Sequence, residues 1–545
     1  MVVRGFILVW LTAAAAWALS VREENEVNGR IRRFYSSPSD GSLMSLSVPK
    51  YNVNSGEFDQ VHRVLELKSP PADPLSRLAQ AKATPSYQSH RCKKFLRQKF
   101  PMLNCDGPPA FIEPEDNPYE LAKSWIRPTA YKVSLDDIPA AGEVMTPVWS
   151  GDYWRMQWGL TSYRYAAGEY FGTYKEAIAD YAQPANWLDL SRQLTPKKLA
   201  RAVGGWSPSE KYDLSVSDAI FHLTNQQKNE GKSYANNEGD VESWFGICHG
   251  WAAAAFSVPP PLAPVQAIGP NGTKVIWYPD DIRAMATLAW ANGRFPANSI
   301  GGRCNSKNVE LLPNGRVSQR ECFDTNPATL HLSLGNLIGI EGKPFVMDAT
   351  FDYQVWNEPV IRYEFDYFNP LSPEERSRQW QDVVVDYDAQ FKKTDRFQKP
   401  LTRGERGPGG VYNDSRIRKI VGVIASVNYV SGVPADQNGD GGDPRVIRVT
   451  YTYDLELAEV EGRILPVGGE WHENAHPDFL WVPQKGAVAQ LGFDSGIPEY
   501  SLAAAAPSAV IERANEASAS GYPLCKVLRA LVDASSGTST YHCAD

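Results

Sequence analysis

The cysteine count is the feature that most restricts how this chain can fold. The sequence of 545 residues contains seven cysteines, and an odd number cannot all be paired within one chain. Fifteen connectivities are compatible with six cysteines, and the most local one is preferred because short loops cost the least entropy to close. It pairs Cys92 with Cys105, Cys304 with Cys322, and Cys525 with Cys543. Cys248 is then left as an unpaired thiol.

Residues 1–20 predict the compartment of the protein. Arg4 gives a positive start, the apolar run 5–16 follows, and small residues around Ala16 and Ala18 provide cleavage sites. This pattern is typical of a secretory signal peptide, so we expect a secreted, extracellular protein in which disulfides persist. No later apolar run reaches the roughly 18 residues of a membrane helix. The net charge of −8 is mild, so neither nucleic acid nor a membrane is expected as a partner.

The remaining sequence divides into three segments that differ in composition and in apolar pattern. Residues 21–89 are polar and lack an apolar period, which predicts a disordered leader or prosegment. Residues 90–502 change from helix-like segments to β-branched and aromatic strand-like segments after Val360, and are predicted to form the catalytic domain. Residues 503–545 are predicted to be a helical extension held by a disulfide. Helices first and strands later indicate an α+β fold, with a nucleophile helix packed on an antiparallel sheet.

The sequence around Cys248 indicates a nucleophile. Gly246 and Ile247 form a turn-like approach, and the small-residue run 252–255 after the cysteine is typical of a buried helix. A thiol at the start of a helix has its thiolate stabilised by free backbone N–H groups and by the helix dipole. The same pattern also fits an inert buried cysteine.

A base and its orienting carboxylate are predicted downstream of Cys248. His331 lies in an apolar segment that resembles a buried strand or short helix, and Asp348 follows a strand-like run at 345–347. The order Cys, His, Asp is that of papain-like and transglutaminase-like enzymes, which predicts a triad of these residues. His249 is a poor base because neighbouring residues on a helix point about 100° apart.

Longer motifs resemble a single family, the transglutaminase elicitors of oomycetes. The resemblance spans residues 117–483 and rests on WFGICHGW (244–251), LHLSLGN (330–336), YQVWNEPV (353–360), GGEW (468–471) and HPDFLW (476–481). It implies a papain-like or transglutaminase-like thiol enzyme core and a secreted protein-glutamine γ-glutamyltransferase. Its partners would be proteins that bear Gln and Lys. The acyl chemistry requires no cofactor or metal.

The resemblance also implies roles for individual residues. Cys248 would form a thioester with a protein Gln, His331 would carry the protons, and Asp348 would hold the imidazole. The backbone N–H of Cys248 is a candidate for the oxyanion hole, and the indole N–H of Trp244 is a second one.

The family is known for a signature peptide through which plant cells perceive these enzymes. Here the matching residues are Val355, Trp356, Asn357, Pro359 and Val360. Glu358 departs from the best-known members, which carry Gln at this place. The resemblance therefore implies a second role as an elicitor of plant defence, with a plant cell-surface receptor as partner.

Three other functional classes compete with this interpretation. A papain-like protease or a protein deamidase would use the same triad with water as the acyl acceptor. His472, Glu473 and His476 satisfy the HExxH pattern of zinc proteases, although Pro477 and the preceding glycines favour a loop. A non-catalytic glycan-binding or elicitor protein would use exposed aromatic residues, for which the candidates are Tyr153, Trp154 and Trp158.

Two kinds of surface site complete the predictions. Asp436, Asn438 and Asp440 resemble the opening of a calcium loop, but Ile447 stands where such a loop needs its last glutamate. Asn271 and Asn413 begin N-glycosylation sequons.

Overall fold

The structure is a computed structural model. It describes residues 25–29, 31, 50–52, 57–59, 117–168, 171–180, 194–304, 306, 307, 309, 325–350, 353–393, 417–437, 444–460, 462–472 and 476–543. The predicted signal peptide lies outside these residues, as do Cys92, Cys105, Cys322, Asn413, Asn438, Asp440 and Glu473.

The helices lie mainly before the sheet and at its C-terminal end. They are α1 (Pro118–Ala122), α2 (Tyr174–Asp180), α3 (Pro196–Gly204), α4 (Pro208–Ser215), α5 (His222–Glu230), α6 (Cys248–Ser257), α7 (Pro279–Asn292), α8 (Pro327–Ser333), α9 (Ser508–Ala519) and α10 (Cys525–Ser536). A π-helix at Leu334–Ile340 continues α8, and another lies at Tyr387–Phe391. Within the described ranges, no helix has the length and apolar character that crossing a membrane requires.

The strands form one large sheet and two small ones. They are β1 (Lys50–Asn52), β2 (Glu57–Asp59), β3 (Ala141–Glu143), β4 (Val265–Ile268), β5 (Lys274–Trp277), β6 (Ala297–Gly301), β7 (Phe345–Asp348), β8 (Asn357–Asn369), β9 (Ser372–Ser377), β10 (Val385–Asp386), β11 (Ile417–Val430), β12 (Val446–Val460), β13 (Arg463–Trp471) and β14 (Phe479–Pro483). The large sheet has the order β13-β12-β11-β8-β7-β14-β6, with β3 and β9 on β8 and β10 on β11. Its described pairs are antiparallel, which confirms the α+β prediction.

The large sheet separates two hydrophobic cores. In β7, Phe345 and Met347 belong to one core while Val346 belongs to the other. Successive residues of a strand point to opposite faces, so Asp348 shares a face with Val346. We call this the nucleophile face, because α6 belongs to the core on that side. The opposite face is covered by α8.

Small residues bring α6 close to its neighbour α7. The side chains from Ala252 to Ala255 are fully buried. At Gly250 an added Cβ would collide with the carbonyl oxygen of Thr287 in α7. The nucleophile helix is therefore held rigidly between α7 and the sheet, as interiors at crystal-like density require. This confirms the predicted packing of the Cys248 helix on an antiparallel sheet.

The C-terminal helices belong to the same core. Val510 of α9 and Leu528 of α10 are buried in the cluster that also contains the α6 alanines. The predicted disulfide between Cys525 and Cys543 is present, and Asp494 accepts hydrogen bonds from the Cys525 and Lys526 N–H groups at 3.0 and 2.8 Å. Residues 503–543 are thus structurally joined to the part of the fold that contains Cys248.

A short part of the predicted leader is ordered. Residues 25–29 are helical, and the side chains of Val27 and Ile31 are buried against Phe368 of β8 and Ile424 of β11. A disordered leader or prosegment over residues 21–89 stays a prediction, of which this contact involves one short part. The physical reason for the contact is that two apolar side chains one helical turn apart meet an apolar patch on the sheet.

Candidate active site

The thiol of Cys248 lies where the start of α6 meets the start of β8. Cys248 is the first residue of α6 and is 7% exposed. Its Sγ atom accepts a hydrogen bond from Nδ2 of Asn357 at 3.4 Å and lies 3.7 Å from the carbonyl oxygen of Val355. Cys248 is a free cysteine, as the cysteine count predicts. The family's signature peptide therefore forms one wall of the nucleophile's environment.

A tryptophan fixes the side chain that contacts the sulfur. Nε1 of Trp481 in β14 donates a 2.7 Å hydrogen bond to Oδ1 of Asn357, and both side chains are buried. An indole N–H can only donate. The oxygen of the Asn357 amide therefore faces Trp481, and its NH₂ group faces Cys248.

Asp348 lies beside Asn357 in the sheet. The two residues are direct partners in the β7–β8 ladder. Oδ1 of Asp348 accepts hydrogen bonds from the N–H of Trp356 at 2.9 Å and the hydroxyl of Thr350 at 3.0 Å. Oδ2 is buried without a hydrogen-bond partner. Burial raises the pKa of this carboxyl to about 7, which is the range of a general base at neutral pH.

The thiol itself is hard to ionise in the resting enzyme. Burial raises the pKa of Cys248 to about 11, and the nearby carboxyls of Glu358 and Asp348 contribute in the same direction, whereas the Asn357 hydrogen bond lowers it. The helix start alone therefore does not produce a reactive thiolate. A proton acceptor is needed at the moment of reaction.

Glu358 lies in the wall of a small cavity that also reaches Cys248, Tyr153, Trp356 and the loop 431–434. Its side chain is 5% exposed, and Oε2 has no hydrogen-bond partner. The pKa of this carboxyl is raised well above its usual range. Burial is the largest cause, and the negative charge of Asp348 is the second.

Replacing Glu358 with Gln should make the thiol easier to ionise. The change removes a negative charge that raises the pKa of Cys248, and one pKa unit corresponds to a tenfold change in thiolate at a fixed pH. We expect alkylation of Cys248 by iodoacetamide near pH 9 to become about three- to tenfold faster. Glu364→Gln, on an ion-paired surface glutamate of the same strand, is the matched control and should leave the rate unchanged. Equal rates for both variants would contradict this electrostatic role.

The structure does not bring His331 to Cys248. The His331 ring stacks on Phe365 at 3.9 Å, and its Nδ1 lies 3.0 Å from the hydroxyl of Tyr453. Phe365 is eight residues beyond Asn357 on β8, which is roughly 25 Å along a strand. In the part of the chain that the structure describes, no imidazole is hydrogen bonded to Cys248.

The structure therefore does not place the predicted base, His331, beside Cys248. The reason is that α8 covers the face of the sheet opposite to α6, and His331 is fully buried in that core. Burial lowers the pKa of His331 to about 3, so the imidazole is neutral. Asp348 is the predicted triad member that does lie close to the nucleophile.

Trp244 does not point its N–H at the nucleophile either. Its Nε1 donates a 2.6 Å hydrogen bond to Oε2 of Glu242, and its ring packs against Phe245 and Tyr353. The structure therefore does not bring this predicted oxyanion donor to the Cys248 sulfur. The backbone N–H of Cys248 remains a candidate, because the first N–H groups of a helix have no acceptor within the helix.

The signature peptide is mostly inside the fold. Val355, Asn357, Pro359 and Val360 are buried, whereas Trp356 is half-buried and contacts the Tyr153 ring at 5.4 Å. The peptide is the first part of β8 together with the turn that precedes it.

The predicted aromatic platform for glycans is not on the surface. Tyr153 and Trp154 are 7% and 2% exposed, and Trp158 is partly buried under the Arg155 guanidinium at 4.0 Å. Trp154 and Trp158 pack in the core that contains α6, and the burial of Tyr153 likewise contradicts an exposed binding platform.

The histidines of the HExxH pattern have separate partners. His472 follows the end of β13, and its Nε2 lies 3.1 Å from Oδ1 of Asp454. His476 stacks on Trp471 at 4.7 Å. Among the residues the structure describes, no group of three or more His, Cys, Asp or Glu side chains is arranged to hold a metal.

The remaining predicted sites are only partly within the described residues. The N–H of Asp436 is hydrogen bonded to Asp280 at 2.7 Å, while the other calcium candidates lie outside. Asn271 is exposed in a turn at residues 270–272, as a glycosylation acceptor must be. Cys304 is in a disulfide, and its predicted partner Cys322 lies outside.

The chemical roles of two residues of the site, Asn357 and Trp481, were not predicted from the sequence. Asn357 was noted only as part of the signature peptide, and Trp481 only as the end of a motif. The available signal was a polar Asn among the buried residues that begin β8, since buried polar side chains need partners.

One comparison with known proteins, the match to a family model, agrees with the motifs. The family model described as transglutaminase elicitor matches residues 128–396, which include Cys248 and Asp348. The GP42 transglutaminase from Phytophthora sojae, a solved structure, aligns at 18% identity with a TM-score of 0.45, covering 74% of this chain and 97% of that one. A search of curated proteins found no match. Residues 128–396 of this chain are therefore similar to the transglutaminase elicitor family.

Proposed function

We propose that this protein is a secreted protein-glutamine γ-glutamyltransferase that joins protein Gln to Lys or other primary amines. The observation that carries the proposal is the contact between the free thiol of Cys248 and the family's signature peptide at Asn357. A thiol at a helix start, a side-chain amide donor and a carboxyl with a free oxygen are the groups that acyl transfer from an amide requires.

In the first half-reaction, Sγ of Cys248 attacks the carboxamide carbon of a substrate Gln. The thiol proton passes to Asp348, directly or through one water, and an S–C bond forms. Asp348 then gives this proton to the departing nitrogen, the C–N bond breaks, and ammonia leaves. The pKa of about 7 for Asp348 supports this assignment, because a group near neutral pKa can both accept and release the proton.

In the second half-reaction, a primary amine attacks the thioester carbon. Its proton passes to Asp348 as the new C–N bond forms, the S–C bond breaks, and the sulfur recovers a proton. The product is an isopeptide bond. Aromatic side chains around Cys248, including Trp251 and Trp356 in the cavity wall, support exclusion of water, which would otherwise give hydrolysis.

We further propose that elicitor activity depends on release of the signature peptide from the fold. Val355, Asn357 and Val360 are at most 5% exposed, and a receptor cannot contact side chains that are buried. Proteolysis or unfolding of the secreted protein would expose the segment.

Incubation with a Gln-bearing protein and a fluorescent primary amine tests the enzymatic proposal. We expect incorporation of the amine by the unmodified protein and none by Cys248→Ala. Ammonia release without incorporation would identify a deamidase, and backbone cleavage a protease. Incorporation that survives in the variant would overturn the role of Cys248. Repeating the assay with a chelator tests whether activity depends on calcium, for which Asp436, Asn438 and Asp440 are the candidate ligands.

A further inference from the structure

The side chain of Asn357 has one orientation that satisfies both of its neighbours. Trp481 Nε1 donates to Oδ1 at 2.7 Å, and Nδ2 lies 3.4 Å from the Cys248 sulfur. The reverse orientation would place two N–H donors against each other and leave a carbonyl oxygen facing the sulfur. Because the indole has no acceptor function, Trp481 determines which end of the amide reaches the nucleophile.

We propose that Asn357 is a catalytic residue that stabilises both the Cys248 thiolate and the oxyanion of the tetrahedral intermediate, with Trp481 as its positioning residue. This role rests on the proposed acyl transfer only for its oxyanion part. The thiolate part follows from the contact with the sulfur alone.

Charge develops first on the sulfur. A neutral thiol is a weak acceptor, whereas a thiolate accepts a charge-assisted hydrogen bond of roughly twice the strength. The charges of two nearby carboxyls, Glu358 on β8 and Asp348 on β7, both oppose ionisation of the sulfur. In the described surroundings, Asn357 is the side chain that donates a hydrogen bond to the sulfur.

Charge then moves to the substrate oxygen. That oxygen is two bonds from the sulfur once the S–C bond has formed, so a donor already in contact with the sulfur needs only a small displacement to reach it. The backbone N–H of Cys248, at the start of α6, lies next to the same atoms and supplies a second donor. An oxyanion hole of one side-chain amide and one helix-start N–H results, in place of the one predicted with Trp244.

Four variants test the proposal. Asn357→Ala removes the side-chain donor while keeping the backbone N–H of residue 357 that also interacts with the sulfur, and Asn357→Asp replaces the side-chain donor with an acceptor. Trp481→Phe keeps the ring but loses the N–H that orients the amide. Trp471→Phe is the matched control, because it removes an indole N–H that donates to the carbonyl of Thr325 at 2.9 Å. Thermal unfolding of each variant establishes that it is folded.

Two measurements are made on each folded variant. Amine incorporation should show kcat lowered about 100- to 1,000-fold in Asn357→Ala, more in Asn357→Asp, and about tenfold in Trp481→Phe, with KM changed little. Iodoacetamide alkylation against pH should move to higher pH in the same order. Trp471→Phe should match the unmodified protein in both measurements.

The outcomes separate this proposal from the proposed function. If Trp481→Phe behaves like Trp471→Phe in both measurements, the positioning role is overturned. If folded Asn357→Ala keeps the unmodified alkylation profile and kcat, the catalytic role is overturned. If the unmodified protein incorporates no amine but the alkylation profiles shift in the expected order, the thiolate role stands and the transglutaminase proposal fails.

Discussion

Asp348→Asn should lower kcat/KM for amine incorporation by roughly 1,000-fold, since general acid–base catalysis contributes about 100- to 10,000-fold. The substitution keeps the size of the side chain and an oxygen for the Trp356 N–H bond, but it cannot accept a proton. Folding should be preserved. A carboxyl whose pKa is raised by folding stabilises the folded state only at low pH, and this contribution is lost as the pH rises above about 4. Removing the carboxyl therefore costs no folding stability at pH 7.

The pH profile checks the assignment to Asp348. With a pKa of about 7, the ionised base gives activity that rises through neutral pH and then levels. Thr350→Val removes a hydrogen bond that lowers this pKa and should move the rise to higher pH. An Asp348→Asn variant with more than a tenth of the unmodified activity would exclude Asp348 as the base.

His331→Ala should cost about 4 kcal/mol in the free energy of unfolding while leaving the chemistry of the folded enzyme intact. The substitution removes a fully buried ring stacked on Phe365 and leaves the hydroxyl of Tyr453 without its partner. Cavity formation and an unpaired buried hydroxyl each contribute a few kcal/mol. Denaturant unfolding measures the loss, and alkylation of Cys248 at low temperature measures the state of the site.

The two variants should separate activity from stability. Asp348→Asn is expected to be folded and inactive, and His331→Ala is expected to be unstable but active per folded molecule. A stable His331→Ala protein that has lost activity 1,000-fold would restore the triad predicted from the sequence. That result would require α8 to leave the face of the sheet on which it lies.

The local sequence pattern was sufficient to predict the secondary structure that carries Cys248 and Asp348. An odd cysteine before a small-residue run predicted the start of a buried helix, and Cys248 is the first residue of α6. A short apolar run ending in a carboxylate predicted a strand, and β7 ends at Asp348. Both inferences depend only on residues near in sequence, where side-chain size and periodicity determine the conformation.

The sequence did not predict the face of the sheet on which a residue lies. The order Cys, His, Asp along the chain does not determine which face α8 covers. The apolar neighbours Leu330 and Leu332 belong to the core opposite α6, and they carry His331 with them. An aromatic surface platform at Tyr153 and Trp154 was left open as an alternative for a related reason, since composition does not distinguish an exposed ring from a core ring.

Tertiary hydrogen bonds were the other feature that local sequence could not supply. Asn357 and Trp481 are separated by 124 positions, and nothing in either segment identifies the other as its partner. β7 lies between β8 and β14 and pairs with both, so the two side chains meet across it. A polar residue among buried ones indicates that some partner exists, but the register of the sheet decides which one.

Trapping of the acyl-enzyme tests the central claim most directly. A Gln-bearing peptide is mixed with the protein without an amine acceptor, the reaction is quenched in acid, and the peptide that contains Cys248 is analysed by mass spectrometry. We expect an added mass equal to the substrate peptide minus ammonia, located on Cys248 and enriched in a variant with a slowed second step. An adduct on another residue, or amine incorporation without any adduct on Cys248, would contradict the account.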